Sequence, residues 1–475
     1  MSQIKIVATI GPVSNNPEML RALAEAGMNV ARLNGSHNSL DWHAQTIALI
    51  RDTLPDTPIL FDIPGRKIRT TDLDNEPCFE IGDALILTTD TNHDGSVKAP
   101  VNYAHLHEDI QPGAVVFADD GTLRFTVTKV EGPDIHCRTE TAGTLKSRKG
   151  INVPGLTFRT ELITNRDRNL VAFARENEVD FIGISFVESS DHIAAIRELT
   201  GGDYPRIVSK VENQAGLDNV DDVVSATDVV MIDRGDLSVE TNIENLAIYQ
   251  KRIIETARTY SRPVIVATEM LHTMIENPFP TKAEVSDISN TVLDGAAATM
   301  LSGETAVGAH PVAAVSTMRQ VSNAALDHLQ YRQGSNEVEF SDTVAQSLGE
   351  AISLLCRTLP ITKIVAVTIS GFAAQVVASK LPRQPILAVS NDRIAARSFN
   401  IIPGTTGVFA DIPYARTSTE HIPSCIELLW QRGLLEDTDM ILVTALAYPR
   451  SGNRMNMIET HVVGELAETL SWKRR

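Results

Sequence analysis

Short runs of apolar residues alternate with amphipathic helical patterns along most of the chain. Eight runs have the length and β-branched composition of buried strands: "IKIVATI", "NVARLN", "PILFDI", "FIGISF", "RIVSKV", "DVVMID", "PVIVAT" and "AATMLS". The stretches between them, such as "PEMLRALAEAG" and "IENLAIYQKRIIETARTY", have the spacing of amphipathic helices. Eight strand–helix units in succession predict an α/β fold, a TIM (β/α)8 barrel with its active site at the carboxyl ends of the strands.

The pattern changes between the third and fourth of these strands. Residues 71–150 contain "ALILTT", "AVVFADDGTLRFTVTKVEG" and "DIHCRTETAG", which are rich in β-branched residues and glycine turns. We therefore predict a small inserted β-barrel domain over 71–150, placed where it can act as a lid. The barrel then comprises residues 1–70 and 151–335.

A third unit follows the barrel. "VAQSLGEAISLLCRTL" predicts a helix, and "KIVAVT", "PILAVS", "TTGVFA" and "MILVTA" predict strands separated by helices. Residues 341–475 are therefore expected to form a separate open α/β domain of the regulatory type. The polar stretch "QYRQGSNEVEFSD" is the expected link.

Composition limits the class of protein. The 475 residues are 43% hydrophobic and 21% charged, as in globular proteins, and the net charge of −18 argues against a general nucleic-acid binder. No run of apolar residues is long enough to predict a signal peptide or a membrane span. The four scattered cysteines fit neither a disulfide framework nor a zinc site, so we expect a cytoplasmic protein.

Polar and charged residues gather at the carboxyl ends of the predicted barrel strands. For one such residue a solvated strand end is the simpler interpretation, but six strands ending this way favour catalysis. The residues concerned are Arg32, Asn34, Ser36, Asp62, Lys210, Glu212, Asp236 and Thr268, with "SGET" after the eighth strand.

These residue types are suited to metal-assisted chemistry on an anion. Glu212 and Asp236 are oxygen ligands of the kind that Mg²⁺ prefers, although each could instead be paired with a neighbouring cation. Arg32 and Lys210 could hold a phosphoryl group, or Lys210 could form a plain ion pair with Glu212. Thr268 could position a substrate oxygen, relay a proton through water, or be an ordinary strand threonine.

Longer motifs narrow the choice. The stretches "KIVATIGPVS", "GMNVARLNGSH", "SRKGINVPG", "SKVENQAGL", "DRGDLSVE" and the whole run 266–311 together resemble the pyruvate kinase family. The resemblance covers essentially the whole chain, with barrel, inserted β domain and C-terminal domain in that order. It implies a phosphotransferase that moves the phosphoryl group of phosphoenolpyruvate to ADP, giving pyruvate and ATP, and it implies a homotetramer.

The resemblance also implies roles for individual residues. Phosphoenolpyruvate would lie against Arg32, Lys210, Thr268 and the backbone amides of Gly235 and Asp236, with Arg32, Lys210 and Thr268 as the catalytic residues. Glu212 and Asp236 would bind Mg²⁺ or Mn²⁺. The nucleotide would be met by Asn34, His37, Arg69 and Lys149.

A monovalent-cation site is implied as well, at Asn34, Ser36 and Asp62. Family members that need K⁺ have glutamate at the position of Lys67, whereas members that do not need it have lysine. The expectation is therefore that the ammonium of Lys67 replaces K⁺, which is not required.

The chain also departs from the family pattern. "DIPGRKIR" and "NGSH" replace the usual "DTKGPEIR" and "NFSH", Asp233 stands where a small apolar residue is usual, and Glu269 replaces glutamine. The two acidic residues add negative charge near a site for anions, which Arg66 could balance.

Two other functions fit part of the pattern. A lyase or decarboxylase, or a homologue acting on another phosphorylated or keto-acid substrate, could use the same Mg²⁺-enolate chemistry, but it would leave Lys149 in the lid without a role. A non-catalytic sensor of sugar phosphates would not be expected to retain Lys210, Glu212, Asp236 and Thr268 together.

Overall fold

The computed structural model of the chain describes residues 4–119, 121–156, 159, 161–332, 343–414, 418–447 and 455–473. In chain order the strands are β1 Lys5–Thr9, β2 Val30–Asn34, β3 Ile59–Ile63, β4 Ile68–Arg69, β5 Cys78–Phe79, β6 Ala84–Thr88, β7 Ala99–Pro100, β8 Val115–Ala118, β9 Leu123–Glu131, β10 Asp134–Thr139, β11 Gly143–Thr144, β12 Gly150–Asn152, β13 Phe181–Ile184, β14 Arg206–Val211, β15 Val229–Asp233, β16 Val264–Ala267, β17 Ala298–Leu301, β18 Lys363–Val367, β19 Ile386–Ser390, β20 Thr405–Phe409, β21 Met440–Ala445 and β22 Met457–Val462.

The α-helices are α1 Pro17–Ala26, α2 Leu40–Thr53, α3 Leu106–Asp109, α4 Asn165–Glu176, α5 Ser190–Thr200, α6 Gln214–Asp218, α7 Val220–Ala226, α8 Arg234–Glu240, α9 Leu246–Thr259, α10 Lys282–Leu293, α11 Gly303–Ala306, α12 Pro311–Arg332, α13 Val344–Thr358, α14 Phe372–Ala378, α15 Arg393–Ser398, α16 His421–Gln431 and α17 Val463–Thr469. Short 3-10 helices lie at Ile243–Asn245, His272–Ile275 and Phe399–Ile401.

Eight parallel strands form the closed barrel that the sequence predicts. They follow the order β1-β17-β16-β15-β14-β13-β3-β2, and β2 pairs with β1 to close the ring. Each of the eight predicted runs supplies one strand, and their bodies are buried on both faces. This burial explains why the runs are continuously apolar rather than alternating.

The insertion between β3 and β13 is built from strands, as predicted. Seven of them form one sheet in the order β4-β12-β8-β9-β10-β6-β7, while β5 and β11 form a separate ribbon. An isolated bridge between Thr70 and Val101 links the ends of the edge strands β4 and β7, so the sheet curls towards closure. The sheet begins at Ile68 and ends at Asn152, a few residues outside the range predicted from composition.

The C-terminal unit contains a five-stranded sheet in the order β20-β19-β18-β21-β22. The four predicted strands are β18 to β21, and all are parallel. The antiparallel edge strand β22 was not predicted. Most of the expected link, residues 333–342, lies outside the described residues.

The C-terminal unit packs against the amino ends of the barrel strands. Lys5, the first residue of β1, donates a hydrogen bond from Nζ to the backbone oxygen of Thr405 in β20 at 2.6 Å. The apolar interior of the barrel and the apolar side of this unit form one continuous core, in which Phe181 and Phe399 take part. The opposite, carboxyl end of the barrel is therefore the end left for the site. Within the described part of the chain, no helix combines the length and the apolar composition needed to cross a membrane.

Candidate active site

Lys210 lies at the centre of a buried charge cluster at the carboxyl end of the barrel. Its Nζ is 3.0 Å from Glu212 Oε2, 3.0 Å from Asp233 Oδ2 and 3.2 Å from Ser185 Oγ. Ser185, Lys210 and Asp233 lie at the ends of the neighbouring strands β13, β14 and β15. The parallel strand order, with side chains alternating between faces, therefore brings these groups together.

The charges of Lys210, Glu212 and Asp233 shift one another's pKa values. Burial lowers the pKa of Lys210, but the charges of Glu212 and Asp233 outweigh it and hold that pKa above its ordinary value. Burial raises the pKa of Glu212 and outweighs the opposing charge of Lys210, while the charges of Asp233 and Asp236 add to the rise. Burial also acts to raise the pKa of Asp233, yet the charge and hydrogen bond of Lys210 hold it below its ordinary range. Lys210 is therefore a firmly protonated ammonium shared between two acids.

Asp236 faces the same cluster from helix α8 and has a cation of its own. Its Oδ1 accepts a hydrogen bond from Lys67 Nζ at 2.5 Å. Asn152, in the last strand of the inserted sheet, donates to Glu240 Oε1 at 2.7 Å and lies 3.5 Å from Asp236 Oδ1. Burial raises the pKa of Glu240 to about 7, and the hydrogen bond from Asn152 offsets part of that rise.

The acidic residues of this cluster fit a divalent metal ion. One carboxylate oxygen from each of Glu212, Asp233 and Asp236 can be chosen so that all three lie within 4.8 Å of one another. Glu212 Oε1 accepts from the backbone N–H of Phe186 at 2.7 Å, whereas its buried Oε2 has no hydrogen-bond partner among the described residues and lies 3.0 Å from Lys210 Nζ as an ion pair. Carboxylate oxygens are the ligands that Mg²⁺ and Mn²⁺ prefer, so these three residues could hold such an ion.

Thr268 follows strand β16 with an unusual backbone. Its φ of +70° is uncommon for a β-branched residue, and such conformations persist where the surroundings enforce them. Its hydroxyl accepts from the backbone N–H of Gly235 at 2.8 Å and donates to the Ala267 oxygen at 2.6 Å. The Gly235 amide is expected to meet a substrate carboxylate. In this structure its N–H donates to the Thr268 hydroxyl instead.

Arg32 and Asp62 pair with each other. Arg32 donates from Nε and Nη2 to Asp62 Oδ2 at 2.9 and 2.7 Å, and from Nη1 to Thr9 Oγ1 at 3.2 Å. Both side chains are buried, and Asp62 Oδ1 has no hydrogen-bond partner among the described residues. The charges of both residues act on the pKa of Lys210, which places the pair next to the central cluster.

The residues expected at a monovalent-cation site are only partly connected. Asn34 Oδ1 accepts from the backbone N–H of Ser36 at 3.1 Å, and Asp62 is held by Arg32. Among the described contacts, none joins Lys67 to Asn34, Ser36 or Asp62. Its ammonium lies on Asp236 instead.

The residues expected to meet a nucleotide surround His37. Partial desolvation lowers the pKa of His37, and the charges of Arg69, Arg32 and Lys149 lower it further. Arg69 donates to the backbone oxygen of Arg148 at 3.0 Å, and Lys149 pairs with Asp119 of the inserted sheet at 2.7 Å. Cationic side chains of the barrel and of the inserted sheet therefore both lie near His37.

The departures from the family pattern have different consequences. Asp233 is buried and paired with Lys210, whereas Glu269 is exposed, so water screens its charge. Arg66 pairs with Glu188 at 2.5 Å, and the cations that act on the pKa of Asp233 are Lys210, Lys67 and Arg32.

Sequence reasoning did not single out Ser185, Asn152 or Glu240. Ser185 accepts from Lys210, and Asn152 donates to Glu240 and Asp236, so each of the three meets a partner distant in the chain. Asn152 and Glu240 do lie within motifs quoted above, "SRKGINVPG" and "DRGDLSVE", which was the available signal.

Comparison with known proteins agrees with this arrangement. Residues 1–315 match the model of the pyruvate kinase barrel domain, and residues 342–461 match that of the pyruvate kinase alpha/beta domain. A pyruvate kinase of Bacillus licheniformis is 35% identical over 98% of this chain and 81% of its own length. One from Clostridium perfringens is 36% identical over 97% of this chain and 100% of its own length. With the barrel, the carboxylate cluster and Lys210 in place, these matches show that the chain belongs to the pyruvate kinase family.

Proposed function

We propose that the protein transfers the phosphoryl group of phosphoenolpyruvate to ADP, giving pyruvate and ATP, and so acts in glycolysis. The observation that carries this proposal is the buried Lys210 ammonium beside the Glu212 and Asp236 carboxylates at the open end of the barrel. A fixed cation and a divalent-ion site together are what a migrating phosphoryl group needs.

Members of this family depend on a divalent metal, and we propose Mg²⁺, with Mn²⁺ as a substitute, held by Glu212 and Asp236. The ion would neutralise the negative charge that the phosphoryl group and the enolate carry. Asp233 lies in the same cluster and adds a third carboxylate. Glu212→Gln should therefore weaken binding of the ion strongly, because a neutral amide lacks the charge that a hard cation needs.

Lys210 and Arg32 would hold the phosphoryl group between the two substrates. The bond from phosphorus to the enol oxygen breaks, and a bond to the terminal phosphate oxygen of ADP forms. Lys210 is rigid because it is buried between Glu212 and Asp233, so its charge is in place before the transfer begins. Arg32 is held by Asp62 and Thr9, and its Nη1 has the longer, weaker contact at 3.2 Å.

The enolate left by the transfer needs a proton on its methylene carbon. Thr268, whose hydroxyl accepts from the Gly235 amide in this structure, would deliver that proton through water. The Gly235 and Asp236 amides would turn to the substrate carboxylate when it binds. Arg69 and Lys149 would meet the phosphates of the nucleotide, with Asn34 and His37 beside them. Lys149 lies next to the inserted sheet, so closure of this sheet over the barrel would complete the nucleotide site.

The test is pyruvate release from phosphoenolpyruvate, measured with and without ADP in the presence of Mg²⁺. Phosphoryl transfer requires one ATP for each pyruvate and no release without ADP. Pyruvate formed without ADP would indicate a lyase or phosphatase reaction, and no pyruvate under either condition would favour a binding protein.

We also propose that K⁺ is not required, as Lys67 already supplies one positive charge at the rim of the site. Its ammonium lies on Asp236, so it would disfavour a monovalent ion by repulsion rather than by contact with Asn34, Ser36 and Asp62. The expected result is full activity with tetramethylammonium as the counter-ion, and K⁺ dependence in Lys67→Glu. A wild-type enzyme that is inactive until K⁺ is added would contradict this.

The assembly and the compartment are proposals too. Exposed apolar side chains on the barrel, at Ile243, Ile248 and Phe279, favour contact between copies of the chain, and we propose a cytoplasmic homotetramer. Sedimentation velocity at micromolar concentration would test this, and a monomer across that range would overturn it.

A further inference from the structure

The Lys67 side chain contacts residues from three separate parts of the chain. Its Nζ contacts Asp236 Oδ1 at 2.5 Å and lies 5.5 Å from the centre of the Phe186 ring, within the range of a cation–π contact. A Cβ at Gly150 would lie 2.8 Å from Lys67 Cε, so the Lys67 side chain packs closely over this glycine. The Lys67 and Asp236 side chains are only 11% and 12% exposed, which makes this a buried ion pair rather than a surface one.

The carboxylates of the site are therefore already compensated in part by lysines, with two ammonium groups facing three carboxylates. Lys210 serves Glu212 and Asp233, and Lys67 serves Asp236. Of the two lysines, Lys210 is fixed by three oxygen atoms, whereas Lys67 has one ion-pair partner among the described residues. Lys67 is therefore the lysine that an entering metal ion can displace more easily.

We propose that Lys67 is the resident counter-cation of Asp236 and is exchanged for the divalent ion when that ion binds. This inference rests on the proposed function in taking Asp236 as a ligand of the ion. If the ion bound Asp236 Oδ2 while Lys67 stayed on Oδ1, the two cations would lie roughly 4 to 5 Å apart in a poorly screened site, where their repulsion is large. Release of the ammonium removes that repulsion and makes it available to an anionic ligand.

The exchange also involves the inserted domain. Lys67 immediately precedes β4, and Gly150 lies in β12, the strand paired with β4. These are the two strands through which the inserted sheet joins the barrel. Release of Lys67 would therefore remove one of the contacts that hold the incoming connection when the ion binds.

Direct binding of Mn²⁺ to the substrate-free protein, followed by electron paramagnetic resonance of the free ion, tests the exchange. Lys67→Met removes the competing charge and should tighten Mn²⁺ binding about tenfold or more. Lys67→Arg keeps the charge and should stay within about threefold of wild type. As a matched control, Lys98→Met removes a lysine that pairs with Asp134 in the inserted sheet and should leave Mn²⁺ affinity unchanged.

Unchanged or weaker Mn²⁺ binding in Lys67→Met would overturn the exchange. The metal site is tested separately by Asp236→Asn: if this variant binds Mn²⁺ as wild type does, the metal site of the proposed function is wrong. Loss of binding in Asp236→Asn with no gain in Lys67→Met would leave the metal site standing and reject the exchange alone.

A second measurement can be made on the wild-type protein, so it does not depend on whether a variant folds. Hydrogen exchange of the wild-type backbone over residues 64–70 should quicken on addition of Mg²⁺, because the connection loses its anchor. In Lys67→Met the same segment should exchange quickly with or without Mg²⁺. Slower exchange of 64–70 in wild type on metal binding would contradict release of Lys67.

Discussion

At the scale of single residues, the site depends on how Lys210 is held. Three neighbouring strands each provide one oxygen atom to its ammonium, from Ser185, Glu212 and Asp233. Asp233 is the unusual member, because the family pattern has a small apolar residue there. With Asp233 present, Lys210 would keep one buried partner if Glu212 turned to a metal ion, and its position for the proposed transfer would be preserved.

Replacement of Lys210 by methionine should lower turnover by roughly two or more orders of magnitude, because Arg32, held by Asp62, would be left to stabilise the moving phosphoryl group without the Lys210 charge. The variant also leaves Glu212 and Asp233 buried without their counter-ion, so its melting temperature should fall in the absence of metal and recover in part with Mg²⁺. The measurements are steady-state kinetics and thermal melts with and without Mg²⁺. Near-normal turnover would rule out the role of Lys210 in transfer.

At the scale of elements, the register between strands decides whether charged side chains meet. Gly183 in β13 pairs with Asp62 in β3, and Asp62 in turn pairs with Asn34 in β2. A Cβ at Gly183 would lie 1.9 Å from Asp62 Oδ1, so the carboxylate lies directly over the glycine. This close approach requires glycine at position 183, because any side chain there would displace the Asp62 carboxylate.

Gly183→Ala should therefore push Asp62 away from Arg32 without touching a substrate. We expect the KM for phosphoenolpyruvate to rise about tenfold, together with a loss of stability of a few kcal/mol from the disturbed buried ion pair. Gly202→Ala is the matched control, because a Cβ there meets nothing within 4 Å. If both alanine variants behave as wild type in kinetics and in thermal melts, the contact is not needed to hold Arg32.

At the scale of the whole molecule, polar contacts fasten the C-terminal unit to the amino end of the barrel. Besides Lys5 with Thr405, Arg397 pairs with the buried Asp180 at 2.9 Å, and Arg206 donates to the Ser370 oxygen at 2.6 Å. Arg206 begins β14, the strand that ends near Lys210. The surface that joins the two units and the catalytic cluster thus lie at opposite ends of the same strand.

The buried Lys5 gives this interface a predictable pH dependence. Burial lowers the pKa of Lys5 to about 8 from an ordinary 10.5. Between these two values the unfolded chain binds a proton that the folded chain does not, so this residue's contribution to stability rises with pH through that window. Below pH 8 the cost of burying the charge is present in full.

The free energy of unfolding of wild type, compared with that of Lys5→Met, should therefore increase by about 3 kcal/mol between pH 7 and pH 10.5. Urea denaturation of both proteins across this range measures the difference and cancels the titration of groups that they share. A difference that is constant with pH would mean that Lys5 keeps its charge in the folded protein, stabilised by more than the Thr405 oxygen.

Much of the architecture could be predicted because apolar runs in the sequence mark most of the longer strands. The eight barrel strands, the strand-rich insertion and four strands of the C-terminal sheet are all recognisable as apolar runs of the right length. The short strands β4, β5, β7, β11 and β12, and the edge strand β22, were not identified individually. Strands of two or three residues exist only through partners distant in sequence, and the half-exposed β22 lacks an apolar run.

The sequence by itself determined which chemical groups stand at the ends of the barrel strands. The apolar runs place Arg32 and Lys210 in the last residues of their strands and Glu212, Asp236 and Thr268 after them. Because the strands of a barrel are parallel, these residues must share its carboxyl end. Only the tertiary structure decided how these charges pair. Lys67 meets Asp236 across 169 positions of sequence, and Arg32 meets Asp62 rather than remaining open. Ion pairing depends on the few ångströms between side chains, and strand order, register and burial set that distance when the barrel closes.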